Sequence, residues 1–155
     1  MNIILGQGES SRLNVAIVRR AKAALAAGAG GTASHRGPGT MFAFGIANQG
    51  IAIDRVDSLL VAQLDTLRQN GVTPDELTKA KNTLRAGFIQ NRETALSKAE
   101  ELQHYAMFHD NIAEINSDLD KFMAVTNDDI RRVAGKYLDS ANAVILIIKP
   151  AGGGQ

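Results

Sequence analysis

The sequence predicts an α+β domain, a two-layer sandwich in which a mainly antiparallel sheet is covered on one face by helices. Strand-like segments lie near both ends of the chain, helical patterns fill the middle, and no internal repeat or linker divides it. A chain of 155 residues with 45% hydrophobic content is long enough for one core. We therefore expect a single domain over residues 1–150 and a flexible, glycine-rich tail over 151–155.

The strand predictions rest on residue size and alternation. Met41–Ala47 alternates large apolar residues with small ones, which predicts a strand with one well-filled face. Val144–Ile148 is a continuous, mostly β-branched apolar run, which predicts a strand buried on both sides or deep in a sheet. Ala23–Gly39 is rich in alanine and glycine, so its propensity predicts a loop, and a strand there would need tertiary support.

The helix predictions rest on apolar periodicity and on terminal signals. Thr73 with Glu76 and Thr126 with Asp129 have the spacing of capping boxes, and Gly71 follows the helix predicted over 56–70 as a C-terminal cap. Helices are predicted to end at Leu5, to begin at a Ser10 or Ser11 cap, to span 56–70, to begin at Thr73, and to cover 93–108, 112–125 and 126–137.

Composition excludes several classes of function. The chain has 17 basic and 16 acidic residues, and the basic residues form no stripe with aromatics, so we expect no nucleic-acid partner. It has no cysteine, which rules out disulfides and thiolate chemistry but fits either redox compartment. No apolar run approaches the roughly 20 residues that span a bilayer. We expect no membrane partner and a soluble protein of the bacterial periplasm or cytoplasm.

Metal-ligand patterns are weak. The sequence contains neither H-x-x-E-H nor H-E-x-x-H, the helical motifs of zinc peptidases. His104 and His109 would lie about 140° apart around one helix, which does not suit a shared metal. Glu101 and His104 match half of a di-iron motif, so a metal-carboxylate protein stays a third alternative, although a solvated polar face explains both residues. His35 has no partnered triad motif around it.

The segment Gly6–Ser11 begins like a phosphate-binding loop ahead of a helix. It lacks the lysine of a P-loop and the third glycine of a dinucleotide-binding turn. It is therefore interpreted as a turn between two helices.

Three ordered segments give the chain a resemblance to a known family. Residues 4–13 read ILGQGESSRL, residues 71–82 read GVTPDELTKAKN, and residues 125–138 read VTNDDIRRVAGKYL. Together they resemble the insulinase, pitrilysin and mitochondrial-processing-peptidase family of zinc metallopeptidases, or inverted zincins. They span nearly the whole chain in the family's order.

The resemblance implies a role as the non-catalytic, C-terminal-type half. Family members have two related α+β halves that close around an extended peptide, with zinc in one half and a degenerate site in the other. The chain would bind no zinc and would be inactive alone. A catalytic half, on the same longer chain or on a partner subunit, would supply the zinc. The function of the present chain would be to enclose and position a peptide. The alternative is a structural assembly subunit that handles no peptide.

The resemblance also implies candidate substrate-binding residues. The family's inert half uses an Arg and a Tyr seven positions later, which correspond here to Arg20 and Ala27, so half of the pair is missing. The plain interpretation of Arg20, which the missing Tyr favours, is a cation at a helix C-terminus. Gly6, Gly8 and Ser11 lie where a relative has a longer glycine-rich substrate loop. No residue is predicted to be catalytic.

The resemblance predicts that one structural piece is missing. Family halves begin with a strand and the front of a helix before the glycine turn, whereas Met1–Leu5 supplies only a helix's last turn. We therefore expect part of a longer chain, lacking its N-terminal strand. The exposed sheet edge that results would favour a homodimer of this piece in isolation.

Overall fold

The computed structural model describes residues 1–32, 37–109 and 111–149. The helices and strands run in the following order: α1 Asn2–Gly6, a π-helix Asn14–Arg20, β1 Ala24–Thr32, β2 Thr40–Ala47, α2 Ile53–Asn70, α3 Pro74–Gln90, α4 Ala95–Phe108, a 3₁₀ helix Ile112–Asn116, α5 Asp118–Ala124, α6 Asn127–Tyr137 and a 3₁₀ helix Ser140–Asn142. The α+β prediction is confirmed. The predicted tail and His35 lie outside the described residues.

Strands β1 and β2 form an antiparallel pair, in a register that places Gly28 opposite Phe44 and Gly30 opposite Phe42. The loop prediction for Ala23–Gly39 is therefore wrong over β1. Alanine and glycine are poor strand formers, but their small size lets α1 pack directly on the sheet. A Cβ atom on Gly6 would overlap the backbone of Ala29. Tertiary packing overrides local propensity here.

The β2 strand is confirmed, but the face that carries its large side chains is not the face packed against the core. Phe42, Phe44 and Ile46 are exposed, whereas the small alternate residues face the helices. Gly45 shows why, since a Cβ there would overlap the Val56 side chain of α2. The helices approach so closely that only small residues fit beneath them. We call the face with the large side chains the outer face and the helix-covered one the inner face.

The core lies between the inner face and the helices. Its fully buried large side chains come from the N-terminal helical segments and from α2. They are Leu5, Leu13, Ile17 and Leu67. Burying one such side chain contributes about 1.5–3 kcal/mol, so these few residues account for much of the contact between layers.

The predicted helix ends are largely confirmed. Both capping boxes form, with Thr73 and Thr126 as the caps, and Gly71 ends α2 with a φ of 70°. The predicted helix over 112–125 is instead a 3₁₀ helix followed by α5. The predicted serine cap is absent: Leu13 occupies the capping position of the π-helix and no side chain caps it.

The predicted C-terminal strand is wrong. Val144–Ile148 belongs to no strand, and its side chains are 46–97% exposed. A strand needs a neighbouring edge to satisfy its backbone hydrogen bonds, and the described part of the sheet holds only β1 and β2. An apolar, β-branched composition predicts that the segment favours an extended strand. It does not predict whether the edge of another strand is close enough to pair with it.

Candidate functional site

The glycine turn joins α1 to the π-helix. Gly6 presses against β1, while Gly8 is exposed with a φ of 79° and open space around it. Ser11 is only 1% exposed and donates its backbone N–H to the Gly8 carbonyl. Its hydroxyl is buried without a hydrogen-bond partner. Of the three predicted residues, Gly8 alone presents an open surface; Ser11 lies inside the turn.

Arg12 connects this turn to the start of α3. Its Nε and Nη2 atoms lie 2.5 Å and 2.6 Å from the two carboxylate oxygens of Glu76, and Nη2 also donates to the Gly71 carbonyl at 2.9 Å. The Arg12 side chain is 14% exposed. A planar guanidinium suits this paired geometry. Sequence reasoning did not assign Arg12 a contact, because nothing local indicates that position 76 is its partner.

The third resemblance segment reaches the same place. Asn127, at the start of α6, accepts the Val72 backbone N–H through Oδ1 at 2.7 Å. Gly71 is buried, and a Cβ there would collide with the side chains of Asn127 and Arg131. We call Arg12, Gly71, Val72, Glu76 and Asn127 the junction. The junction explains why these three segments occur together, since each supplies atoms to one interlocked contact.

The charge of Glu76 is stabilised in the junction. The hydrogen bond from Arg12 holds the pKa of the Glu76 carboxyl below its usual range, and partial burial opposes that shift. The same carboxylate accepts the Thr73 backbone N–H at 2.8 Å. Glu76 therefore serves the capping box and the Arg12 ion pair at once. This arrangement is structural, with no group placed to act as a nucleophile or base.

Arg20 lies at the opposite end of the helical segment from the glycine turn. It is exposed at the C-terminus of the π-helix, where a cation interacts favourably with the helix dipole. Ala27, at the family's tyrosine position, is 8% exposed and belongs to the core. No hydrogen bond or ion pair joins Arg20 to Gly6, Gly8 or Ser11 among the described residues. The structure thus leaves the predicted site residues in two separate places.

The outer face of the sheet was not predicted as a site. It exposes 52% of Phe42, 45% of Phe44 and 54% of Ile46, and Leu25 of β1 is 66% exposed. Adjacent exposed apolar residues of this size mark an interaction surface. Sequence alternation identified these residues, but the face that they occupy could be assigned only once α1 and α2 were located.

Potential metal donors near α4 are engaged with protein groups. The Glu101 carboxylate binds Arg92 through both oxygens, each 2.7 Å from a guanidinium nitrogen. His109 Nδ1 faces Glu114 Oε2 at 3.6 Å, and Tyr105 hydrogen bonds to Asp118. Within the described ranges, no group of three His, Cys, Asp or Glu side chains is placed to hold a metal ion. The donor set here does not fit zinc.

Tyr105 and Asp118 hold the same helical region together. Burial and the Asp118 hydrogen bond raise the pKa of Tyr105 to about 12. Arg92 also donates to the Ile115 carbonyl at 2.8 Å, which attaches the 3₁₀ helix to the end of α3. These polar contacts fix the positions of helices that share little apolar core. We find no helix in the described segments with the length and apolar character of a membrane span.

Comparison with known families gives a match over residues 1–84, more than half of the chain, to the inactive domain of the M16 peptidases. The chain is also 26% identical over 147 residues to zinc protease PqqE of Helicobacter pylori, covering 95% of this chain. It spans about a third of that relative's length, 33%.

Solved structures show the same fold. A protease from Helicobacter pylori superposes with a TM-score of 0.78 at 25% identity, over 91% of this chain and 34% of that one. The inactive peptidase domain of a candidate zinc protease from Bordetella parapertussis gives a TM-score of 0.77 at 22% identity, over 98% of this chain and 82% of that one. At 22% identity, the similarity to the Bordetella parapertussis domain shows a shared fold and no more.

Proposed function

Because this chain belongs to the inactive domains of the M16 peptidases, we propose that it is the non-catalytic half of a zinc protease. In this proposal a zinc-bearing half, on the same longer chain or on a partner subunit, supplies the catalytic chemistry. This half encloses an extended peptide and positions it. The absence of H-x-x-E-H from the sequence and the engagement of Glu101 with Arg92 support the assignment of zinc to the other half.

The observation that carries the proposal is the one-sided packing of the sheet. Helix α2 covers the inner face, and the outer face leaves Phe42, Phe44 and Ile46 exposed. A wall that faces an enclosed peptide needs apolar surface that its own domain leaves open. The outer face meets that requirement.

The residues suggested by the family resemblance would have different roles. Arg20 is exposed and forms no ion pair with a described carboxylate, so its guanidinium is available for a peptide carbonyl or carboxylate. Gly8 offers open backbone at the turn surface. Gly6 and Ser11 would act indirectly, since Gly6 packs on β1 and Ser11 is buried.

A structural assembly subunit is the second candidate, and one observation favours it. Val144–Ile148 and several side chains of α4, all outside the two strands, expose large apolar side chains, including Leu96 at 70% and Met107 at 55%. Such exposed apolar surface suits a permanent protein interface. In isolation it also favours a homodimer, so sedimentation of the purified chain should show a mass that rises with concentration.

The test separates the two candidates. The natural partner is captured from the host, and peptide cleavage by the complex is measured with and without this half and with and without a zinc chelator. For the non-catalytic half of a zinc protease we expect a partner carrying H-x-x-E-H, and chelator-sensitive cleavage that falls at least tenfold without this half. An inert partner, or cleavage that does not depend on this half, would support the structural role.

A further inference from the structure

The outer face is an ordered apolar surface. Phe44 lies over Gly28 and Phe42 lies over Gly30, the residues opposite them in the register. Each aromatic ring therefore rests on a glycine of the neighbouring strand, which limits its freedom to fold away from solvent. Leu25 and Ile46 extend the same apolar surface towards the end of the sheet where β1 begins and β2 ends.

In the described part of the chain, a cation lies at one end of this surface. Neither β1 nor β2 contains a charged residue. Lys22 lies two residues before β1, and its carbonyl accepts a hydrogen bond at 3.4 Å from Asn48, the residue after β2. This places Lys22 at the Leu25 and Ile46 end of the sheet. The outer face is thus an apolar strip with a basic end.

Lys22 is not neutralised within the described chain. It is exposed and forms no ion pair there with a carboxylate. Asp54 and Asp57 begin α2, which belongs to the inner layer. A cation without a protein counter-charge at the end of an apolar strip is available to an acidic ligand group.

Lys22 also has an unusual backbone conformation. Its φ is 49°, the one positive value at a non-glycine residue in the described chain. The left-handed region costs an ordinary residue roughly 1 kcal/mol, a cost that glycine avoids. Strained residues cluster at binding sites, where the side chain is needed in that place. Lys22 directly follows Ala21, the C-cap of the π-helix, where a left-handed residue commonly ends a helix and is usually glycine. Here the chain places a lysine at that position.

We propose that the outer face binds an extended, mainly apolar peptide segment with an aspartate or glutamate side chain at the end that meets Lys22. The inference rests on the proposed function and adds the class of peptide that this half prefers. Alternate apolar side chains of the segment would pack on Phe42, Phe44 and Ile46. The acidic side chain would pair with Lys22. Lys22 is the residue that determines this specificity.

Binding of fluorescent peptides to the full chain tests the inference. The probes are seven residues long and blocked at both termini, with valine at alternate positions and serine between, and with aspartate first or last. Matched probes carry asparagine instead. We expect one aspartate probe to bind about threefold to fivefold more tightly than its asparagine match, the range of an exposed ion pair. Blocked termini exclude a C-terminal carboxylate as the acidic group.

Four variants assign the effect to residues. Lys22→Gln should remove the aspartate preference, and Lys22→Arg should keep it. Phe44→Ser should weaken all probes at least fivefold, because the apolar contact is lost. Lys98→Gln, at an exposed position on α4, should change nothing. Circular dichroism of each variant checks that the fold is retained.

The outcomes separate this inference from the function on which it rests. Probes that bind with no preference for aspartate, or a preference that survives Lys22→Gln, would overturn the inference and leave the peptide-enclosing role standing. If binding is unaffected by Phe44→Ser, the outer face is not the site. If no probe binds and cleavage by the partner does not need this half, both proposals fail.

Discussion

The junction and the outer face of the sheet use their residues in opposite ways. At the junction, Arg12 donates hydrogen bonds to both Glu76 carboxylate oxygens and to the Gly71 carbonyl, so its charge is paired within the domain. On the outer face, Phe42 and Phe44 stay exposed, and the nearby charge of Lys22 has no carboxylate partner in the described chain. The difference suggests that the junction maintains the shape of the domain and that the outer face serves a ligand.

The largest expected effect comes from the junction. Arg12→Met should lower the free energy of unfolding by about 2–4 kcal/mol, because Glu76 would keep a partly buried charge without its partner. Urea unfolding at pH 7 measures the change. Arg132→Ala is the matched control, since its ion pair with Asp129 is exposed, with the arginine 72% accessible, and should cost under about 1 kcal/mol. Equal losses in the two variants would refute the special role of the junction.

The second-largest expected change in stability comes from the close packing of α1 on β1. Gly6→Ala should cost about 1–3 kcal/mol, because the added methyl group collides with the Ala29 backbone. Gly87→Ala is the opposite case, in the interior of α3 with open space at the Cβ position, and should stabilise by roughly 0.5–1 kcal/mol. Thermal unfolding of the two variants should shift in opposite directions. Shifts of the same sign would show that α1 does not pack on β1 as described.

Acid should weaken the junction before it affects the outer face. The pKa of Glu76 is lowered from 4.5, chiefly by the Arg12 hydrogen bond. A lowered folded-state pKa means that this stability is present above about pH 4.5 and is lost as the pH falls through the folded value. Glu76→Gln should therefore flatten the decline in stability below pH 4.5.

Asp129 titrates in an overlapping range and supplies the control for that experiment. Its pKa is lowered to about 2, mainly by the hydrogen bond from the Thr126 hydroxyl. The Glu76→Gln variant should keep the loss of stability due to Asp129 at lower pH. Urea midpoints at several pH values between 2 and 7 follow both steps, and an unchanged profile in Glu76→Gln would mean that the Arg12 pair does not contribute to stability.

Sequence reasoning succeeded where signals are local and failed where a partner is distant. The capping boxes at Thr73 and Thr126 and the glycine end of α2 depend on residues within four positions, and all three form. β1 was not predicted because its alanines and glycines have low strand propensity. Their small size is explained only by the close packing of α1 against β1. The Val144–Ile148 strand was predicted from composition, which does not report whether a partner edge is present.

In the candidate site, too, local features were predicted and contacts between distant residues were not. The resemblance identified the glycine turn and Arg20, but not that Ser11 is buried or that Arg20 lies at the other end of the helical segment. Arg12 was present in the motif, and its contact with Glu76 spans 64 positions. The outer face could be recognised only after the inner face was assigned, since alternation alone does not say which side meets the helices.

The most direct test of the account is the cleavage rate of the two-half enzyme carrying Phe42→Ser and Phe44→Ser, measured alongside its unfolding midpoint. We expect at least a tenfold loss of cleavage with little change in the midpoint, because in the proposed function these side chains face the peptide and they add little to the core. Cleavage at the wild-type rate, with the fold intact, would contradict it and would leave the outer face without a role in handling peptide.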